Sequence, residues 1–204
     1  CPKSNETKYS QGMFPIYTCK REVNELANPQ CFLDWTLLIT EARQYGIRNS
    51  TLMALMPSET SAQISNATNG IEPPRSLVSV KQSKDGVLKQ VVPEVRKLKN
   101  KYDLLWAQTS PEGYLKIVAV LQKYIDQSIS TNTSYNPQFY EDEKIPMSDM
   151  LKHMLQFYKY GGKQLYYFNT YDGQGEIDVD KLVIREPVQE LAPIDEVDCE
   201  SCVI

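Results

Sequence analysis

The chain has 204 residues, of which 41% are hydrophobic and 24% charged, with a formal net charge of −4. That length suits one domain, or one domain plus a tail, and the apolar share is enough for a core. No run of about 18 apolar residues exists to span a membrane as a helix, and the charge is too acidic for nucleic acid to be the expected partner.

The opening, CPKSNETKYS, is polar from its first residue and reads neither as a signal peptide nor as a basic transit peptide. It starts on Cys1 rather than Met, as expected of a processed chain or a piece of a longer one. CFLDWTLLITEARQYG is predicted to be an amphipathic helix ending at Gly46, followed by the extended apolar run IRNSTLMALM. Pro57 ends that strand, and PSETSAQISNATNG opens a second helix, with Ser58 as N-cap and Gly70 as C-cap. IEPPR is excluded from helix by its two prolines. SLVSVKQSKDGVLKQVV alternates about Asp85-Gly86, a hairpin signal.

VPEVRKLKNKYDLLW reads as a helix, and SPEGYLKIVAVLQKYIDQSIS as a longer one, capped by Ser110 with Pro111 in the first turn. STNTSYN is extended. IPMSDMLKHMLQFYKYGG is a third clear helix, stopped by Gly161-Gly162, and KQLYYFNT a short β-rich strand. Strand–helix units with one inserted hairpin mean α/β organisation, with residues 1–170 as the folded body. Residues 171–204 lose both periodicities and carry ten acids against two bases, a net of −8 that leaves +4 for the body. They are predicted to form a flexible acidic tail. A mildly basic body suits anionic small molecules, and a solvated surface accounts for it equally.

Three stretches have the residue types for chemistry. In LMPSETSAQ a strand meets a helix start rich in small hydroxyl residues, whose free N–H groups would favour an anion such as phosphate. A capped helix with no ligand uses the same residues, and no Gly-Lys-Ser/Thr follows to make a Walker loop. At the end of the chain, Cys199 and Cys202 fit half a zinc site, a pair of plain exposed thiols, or a tethered dithiol. A prenylation signal is excluded, because Cys202 is third from the end. Neighbouring acids raise the pKa of such thiols and slow their attack. In LYYF, Tyr166 and Tyr167 suit core packing with one exposed ring. The single histidine, His153, reads as a surface or boundary position, and no Ser-His-Asp set or metal cluster can be assembled. Cys1, Cys19, Cys31, Cys199 and Cys202 are odd in number and scattered, which predicts a reducing, cytoplasmic setting.

NSTLMALMPSETSAQISNATNGIEPPR, then KQLYYFNT, then a terminal cysteine pair, together resemble the C-terminal part of the large (alpha) subunit of class Ia ribonucleotide reductase. The resemblance runs from CPKSNETKYSQG over essentially the whole chain. It implies the C-terminal portion of a ten-stranded α/β barrel, with NSTLMALM, STNTSY and KQLYYF as strands. It implies reduction of ribonucleoside diphosphates to deoxyribonucleoside diphosphates by radical chemistry. The main chain of Pro57, Ser58, Glu59, Thr60 and Ser61 would hold the substrate diphosphate. Tyr166 and Tyr167 would relay a radical between the beta (small) subunit, which carries a diiron-tyrosyl radical, and an active-site cysteine. Cys199 and Cys202 would reduce the active-site disulfide and be reduced in turn by thioredoxin or glutaredoxin.

No cofactor or metal is expected on this chain itself. The helix around 150–160, with Met150, Met154 and Phe157 on its apolar face, resembles the docking region for the beta subunit's C-terminal tail. The family's thiyl-radical loop, its substrate-reducing cysteines and its N-terminal effector sites lie upstream, and Cys19 and Cys31 match none of them. The chain is therefore expected to need an N-terminal alpha segment, supplied by a split gene, by intein splicing ahead of Cys1, or by the remainder of an incomplete record. The alternative from another class is a stand-alone phosphate- or nucleotide-binding module without catalysis. One geometric tension stands out: strand neighbours point to opposite faces, whereas a relay needs its two rings close. The strand is expected to be distorted at Tyr166–Tyr167, or the rings to curl around its end.

Overall fold

The computed structural model describes residues 8–9, 11–28, 32–65, 67–83 and 86–173. Its helices are α1 (Pro15–Thr18), α2 (Thr36–Tyr45), α3 (Glu59–Ile64), α4 (Val95–Leu98), α5 (Glu112–Gln122) and α6 (Met147–Lys159). Its strands are β1 (Val78–Ser83), β2 (Gly86–Val91), β3 (Thr133–Tyr135) and β4 (Phe168–Thr170).

The core forms around α5. Tyr114, Leu115, Val118 and Ala119 recur on one helical face and are buried. They pack with Val23, Ile125, Ile129 and Phe157, so that α5, α6 and the sheet share one core. The link from α5 to the sheet is held by a buried polar residue. Gln122 Nε2 donates to the carbonyls of Ile125 and Gln127, both at 2.7 Å, and its Oε1 accepts the Ile129 N–H. Every polar atom of that carboxamide carries a partner, which is the condition for burying it at low cost.

Three chain segments run parallel. Leu55 bridges to Ile129, and β3 pairs with β4 in the register Thr133–Phe168, Ser134–Asn169 and Tyr135–Thr170. Residues 129–135 are thus the middle strand, flanked by 53–55 on one side and the β4 chain on the other. This is the α/β arrangement that the pattern predicts, with α5 and α6 as the crossovers. Among the described residues no strand covers either outer edge, and the barrel is not closed. Around 53–56 the side chains of Leu52, Met53 and Met56 are exposed as well. The second sheet is the predicted hairpin, β1 against β2 with Val78 opposite Val91; its turn residues 84–85 lie outside the described residues.

Some elements end earlier than their sequence signals suggest. The helix predicted to run to Gly70 stops at Ile64, where Ser65 Oγ turns back onto the Ser61 and Ala62 carbonyls. Hydroxyl side chains that compete for backbone acceptors favour such a stop. The helix expected over VPEVRKLKNKYDLLW breaks into α4 and two 3₁₀ turns, Lys99–Lys101 and Leu105–Ala107. Its start is held by Glu94 in a left-handed conformation (φ 51°), which an α-helix cannot propagate. α5 ends at Gln122 rather than reaching Ser130, because Gln122 turns its side chain onto the linker. Ser110 Oγ does accept the Glu112 N–H, as an N-cap should.

His153 is not the surface or boundary residue expected from its sequence position; it is 5% exposed. α6 carries it between two hydroxyls, with Nε2 3.3 Å from Ser110 Oγ and Nδ1 3.1 Å from Tyr135 Oη. Burial lowers its pKa, opposed by the charges of Glu112 and Asp149 and assisted by Lys152. The folded chain therefore keeps the ring neutral at pH values where the unfolded chain, with an ordinary value near 6.5, binds a proton. Stability falls as pH drops below about 6.5 and levels off beneath the folded value. Melting curves of the complete subunit between pH 7 and pH 5 should therefore show a smaller fall in Tm for His153→Gln than for the parent. Equal falls would remove His153 as the source.

Gly162 closes α6. A Cβ there would run into the ring carbons of Phe157, and Phe157 is itself core. Gly162→Ala is expected to cost about 1–3 kcal/mol by overpacking, read as a lower Tm of the complete subunit.

Candidate functional site

The parallel register brings two of the predicted motifs to the same level. Ser130 N–H donates to the Leu55 carbonyl at 3.0 Å on one side of the middle strand. Tyr166 N–H donates to the Thr131 carbonyl at 2.7 Å on the other. Pro57–Ser61 leaves the sheet just past Leu55, and Tyr166–Tyr167 enter it opposite Thr131. The two motifs stand two strand spacings apart, roughly 10 Å.

At the tyrosines the strand is distorted, and the geometric tension resolves. In a regular strand, successive N–H groups point to opposite sides. Here Tyr166 N–H goes to Thr131 O, and Tyr167 N–H goes to Asn132 Oδ1 at 3.1 Å, toward the same neighbouring strand. The Tyr167 carbonyl then accepts from Thr133 N–H at 2.9 Å, and regular pairing starts only at Phe168. The rings come to a centroid separation of 4.3 Å at 60°. Both are exposed, at 52% and 56%. Tyr166 raises the Tyr167 pKa above the ordinary phenol value, first through the contact of the two hydroxyls, which favours the neutral form, and then through its charge. Two phenols in edge contact can exchange a proton and an electron over one short step.

The loop at Pro57–Ser61 is clasped from behind. Ser58 N–H donates to Asn69 Oδ1 at 3.0 Å, and Ser58 Oγ accepts the Gly70 N–H at 3.2 Å. Gly70 has φ 58°, a conformation in which a side chain is strained. Pro57, Asn69, Gly70, Glu72 and Ser130 line a shallow, open concavity beside the loop. Glu72 is tied in turn to the middle strand, where Asn132 Nδ2 donates to its Oε1 at 2.6 Å.

The strand that carries the loop is anchored at its start by Asp126. Its Oδ2 accepts Tyr9 Oη at 2.6 Å and Leu52 N–H at 2.5 Å, and its Oδ1 accepts Met53 N–H and Gln127 N–H, both at 2.8 Å. Burial alone would push this carboxyl up, but the four hydrogen bonds together hold it below its ordinary value.

The ribonucleotide reductase barrel-domain family model matches residues 1–168. The chain belongs to the ribonucleotide reductase barrel family. It is 55% identical over 173 residues to the ribonucleoside-diphosphate reductase subunit alpha of Buchnera aphidicola subsp. Schizaphis graminum, and 54% identical over 173 residues to the ribonucleoside-diphosphate reductase 1 subunit alpha of Escherichia coli. Each alignment covers 85% of this chain and 23% of the relative. The subunit alpha of Enterobacteria phage T4 is 42% identical over 97% of this chain and 25% of its own length. That alignment reaches into residues 171–204, past the end of the family-model match. The chain thus spans about a quarter of the relatives it matches, and a ribonucleotide reductase barrel with further strands accounts for the two bare sheet edges.

Of the residues singled out from sequence, Pro57 to Ser61 and Tyr166–Tyr167 are brought to one level of the parallel strands, on either side of the middle one. Cys199 and Cys202 lie outside the described residues. On α6 the expected apolar face is partly wrong. Phe157 points into the core, and the exposed apolar stripe is Met147, Leu151, Met154, Leu155 and Tyr158. Sequence reasoning misses Asn132, Glu72, Asn69 and Asp126. A carboxamide in the middle of an otherwise Ser/Thr/Tyr strand is the one available signal for Asn132. Among the described residues no group of three or more His, Cys, Asp or Glu is placed to hold a metal ion, and no helix there is long and apolar enough to cross a membrane.

Proposed function

We propose that this chain supplies the C-terminal part of the catalytic barrel of a ribonucleoside-diphosphate reductase alpha subunit, acting with an N-terminal alpha segment and a beta subunit. The observation that carries the reading is the pair of edge-packed phenols, their ring centroids 4.3 Å apart, in a family whose relatives are named ribonucleoside-diphosphate reductase. The main chain of Pro57–Ser61 holds the diphosphate of the substrate, its shape maintained by Asn69 and Gly70. Tyr166 and Tyr167 pass the oxidising equivalent, which the diiron-tyrosyl radical centre of the beta subunit supplies. A phenoxyl at one ring takes an electron and the hydroxyl proton from its neighbour, so the first becomes a phenol as the second becomes the radical. The Met147–Tyr158 stripe receives the beta subunit's tail. Cys199 and Cys202 carry reducing equivalents from thioredoxin or glutaredoxin, and the assembly works in the cytoplasm.

Open strand edges at 53–56 and β4 weigh against a self-sufficient binding module, because unpaired edges invite association. Combining the chain with the N-terminal alpha segment, the beta subunit, thioredoxin and a ribonucleoside diphosphate should yield the deoxyribonucleoside diphosphate, and omitting any protein component should stop it. A soluble, cooperatively folding monomer that ignores the N-terminal segment would overturn the reading.

A further inference from the structure

Asn132 lies between the two halves of the candidate site. It is on the middle strand, next to Thr131, whose carbonyl accepts the Tyr166 N–H. Its carboxamide is used at both ends, with Oδ1 accepting Tyr167 N–H at 3.1 Å and Nδ2 donating to Glu72 Oε1 at 2.6 Å. Glu72 lines the concavity beside the Pro57 loop. We infer that Asn132 is a positioning residue that sets the Tyr166–Tyr167 ring pair against the substrate-phosphate cavity, with Glu72 fixing which way its carboxamide faces. The inference rests on the relay and phosphate readings above and adds a residue to them.

The physical argument is one of orientation. An asparagine side chain is close to symmetric in shape and offers either an acceptor or a donor to a given neighbour. Only the acceptor end satisfies the Tyr167 N–H. The Glu72 carboxylate accepts and cannot donate when ionised, so it selects the NH₂ end and leaves Oδ1 for the tyrosine. A charge-assisted bond of this kind is roughly twice as strong as a neutral one. With it, two consecutive N–H groups are held toward one strand, and that is what turns both rings to the same side. Without it the segment is free to return to regular alternation, which parts the rings.

The prediction is a reversal experiment in the complete alpha subunit assembled with the beta subunit. Asn132→Asp keeps an acceptor for Tyr167 N–H but sets a carboxylate against Glu72. It should lower kcat at least tenfold, with KM for the ribonucleoside diphosphate changed less than about threefold. Adding Glu72→Gln restores a donor–acceptor pair with the roles exchanged, since the glutamine amide now donates to the carboxylate introduced on the middle strand. The double variant should recover at least a third of the parent kcat. Recovery by a second substitution is not expected of a residue that merely supports the fold.

The inference is overturned if Asn132→Asp turns over at the parent rate, or if the double variant is no faster than the single one. Should Asn132→Asp fail to fold, the cycle of Asn132→Ala and Glu72→Ala decides: coupled residues give a double variant several-fold faster than the product of the single effects, and independent ones do not. Tyr166→Phe and Tyr167→Phe, assayed alongside, separate the levels. If they are inactive while Asn132→Asp is fully active, only the role of Asn132 falls. If they are active, the relay reading falls first.

Discussion

Phenylalanine at Tyr166 or at Tyr167 is expected to lower deoxyribonucleotide formation by about three orders of magnitude, ~4 kcal/mol of barrier, while the assembly forms and binds substrate normally. The substitution replaces the hydroxyl by hydrogen and keeps the ring. Packing is preserved, because both rings are more than half exposed and neither belongs to the buried core. Lost with the hydroxyl is a side chain oxidisable in a single short step. Tyr166 and Tyr167 are in series, so the double variant should be no slower than either single one. Single-turnover assays with the assembled enzyme read the rate, and a subunit-binding assay reads assembly. Turnover near the parent rate in either variant removes the relay role.

The second large effect concerns the source of electrons. Each reduction of a ribonucleotide consumes two electrons and two protons and leaves a disulfide in the active site. If Cys199 and Cys202 deliver those equivalents by thiol–disulfide exchange, replacing both with serine should reduce thioredoxin-driven turnover to background. A small dithiol reaches the active site unaided, so turnover driven by it should persist within a few-fold of the parent. The control separates a loss of delivery through the tail from a loss of the active site itself. Loss of turnover with both reductants would mean that the cysteines hold structure instead.

Periodicity makes the large elements legible in the sequence. α2, α5 and α6 each bury or expose a stripe that the residues spell out, and alternation about Asp85-Gly86 marks the hairpin. The three extended segments are legible from residue type and from breakers such as Pro57, but their assignment to one barrel comes only through the family resemblance, since 53–55, β3 and β4 are too short to have a period of their own. What stays hidden is tertiary. Nothing local says that Gln122 or His153 is buried, because their burial depends on partners up to 43 positions away, such as Ser110 for His153. The site shows the same division. Pro57–Ser61 and the tyrosine pair are contiguous in sequence and stand out, whereas Asn132 and Glu72, 60 positions apart, acquire meaning only when the strands align. The closeness of the two rings is the point on which strand geometry alone gives the opposite answer, and a side-chain acceptor from the next strand supplies the reason.

The carboxylate of Asp126 has a consequence for solvent exchange. Leu52, Met53 and Gln127 all direct their amide hydrogens at this one group, although the first two sit on an uncovered strand with exposed side chains. Deuterium should enter these three amides slowly and at a shared rate, as a single opening event, while their immediate neighbours label at once. Protonating that one group in acid should release all three together.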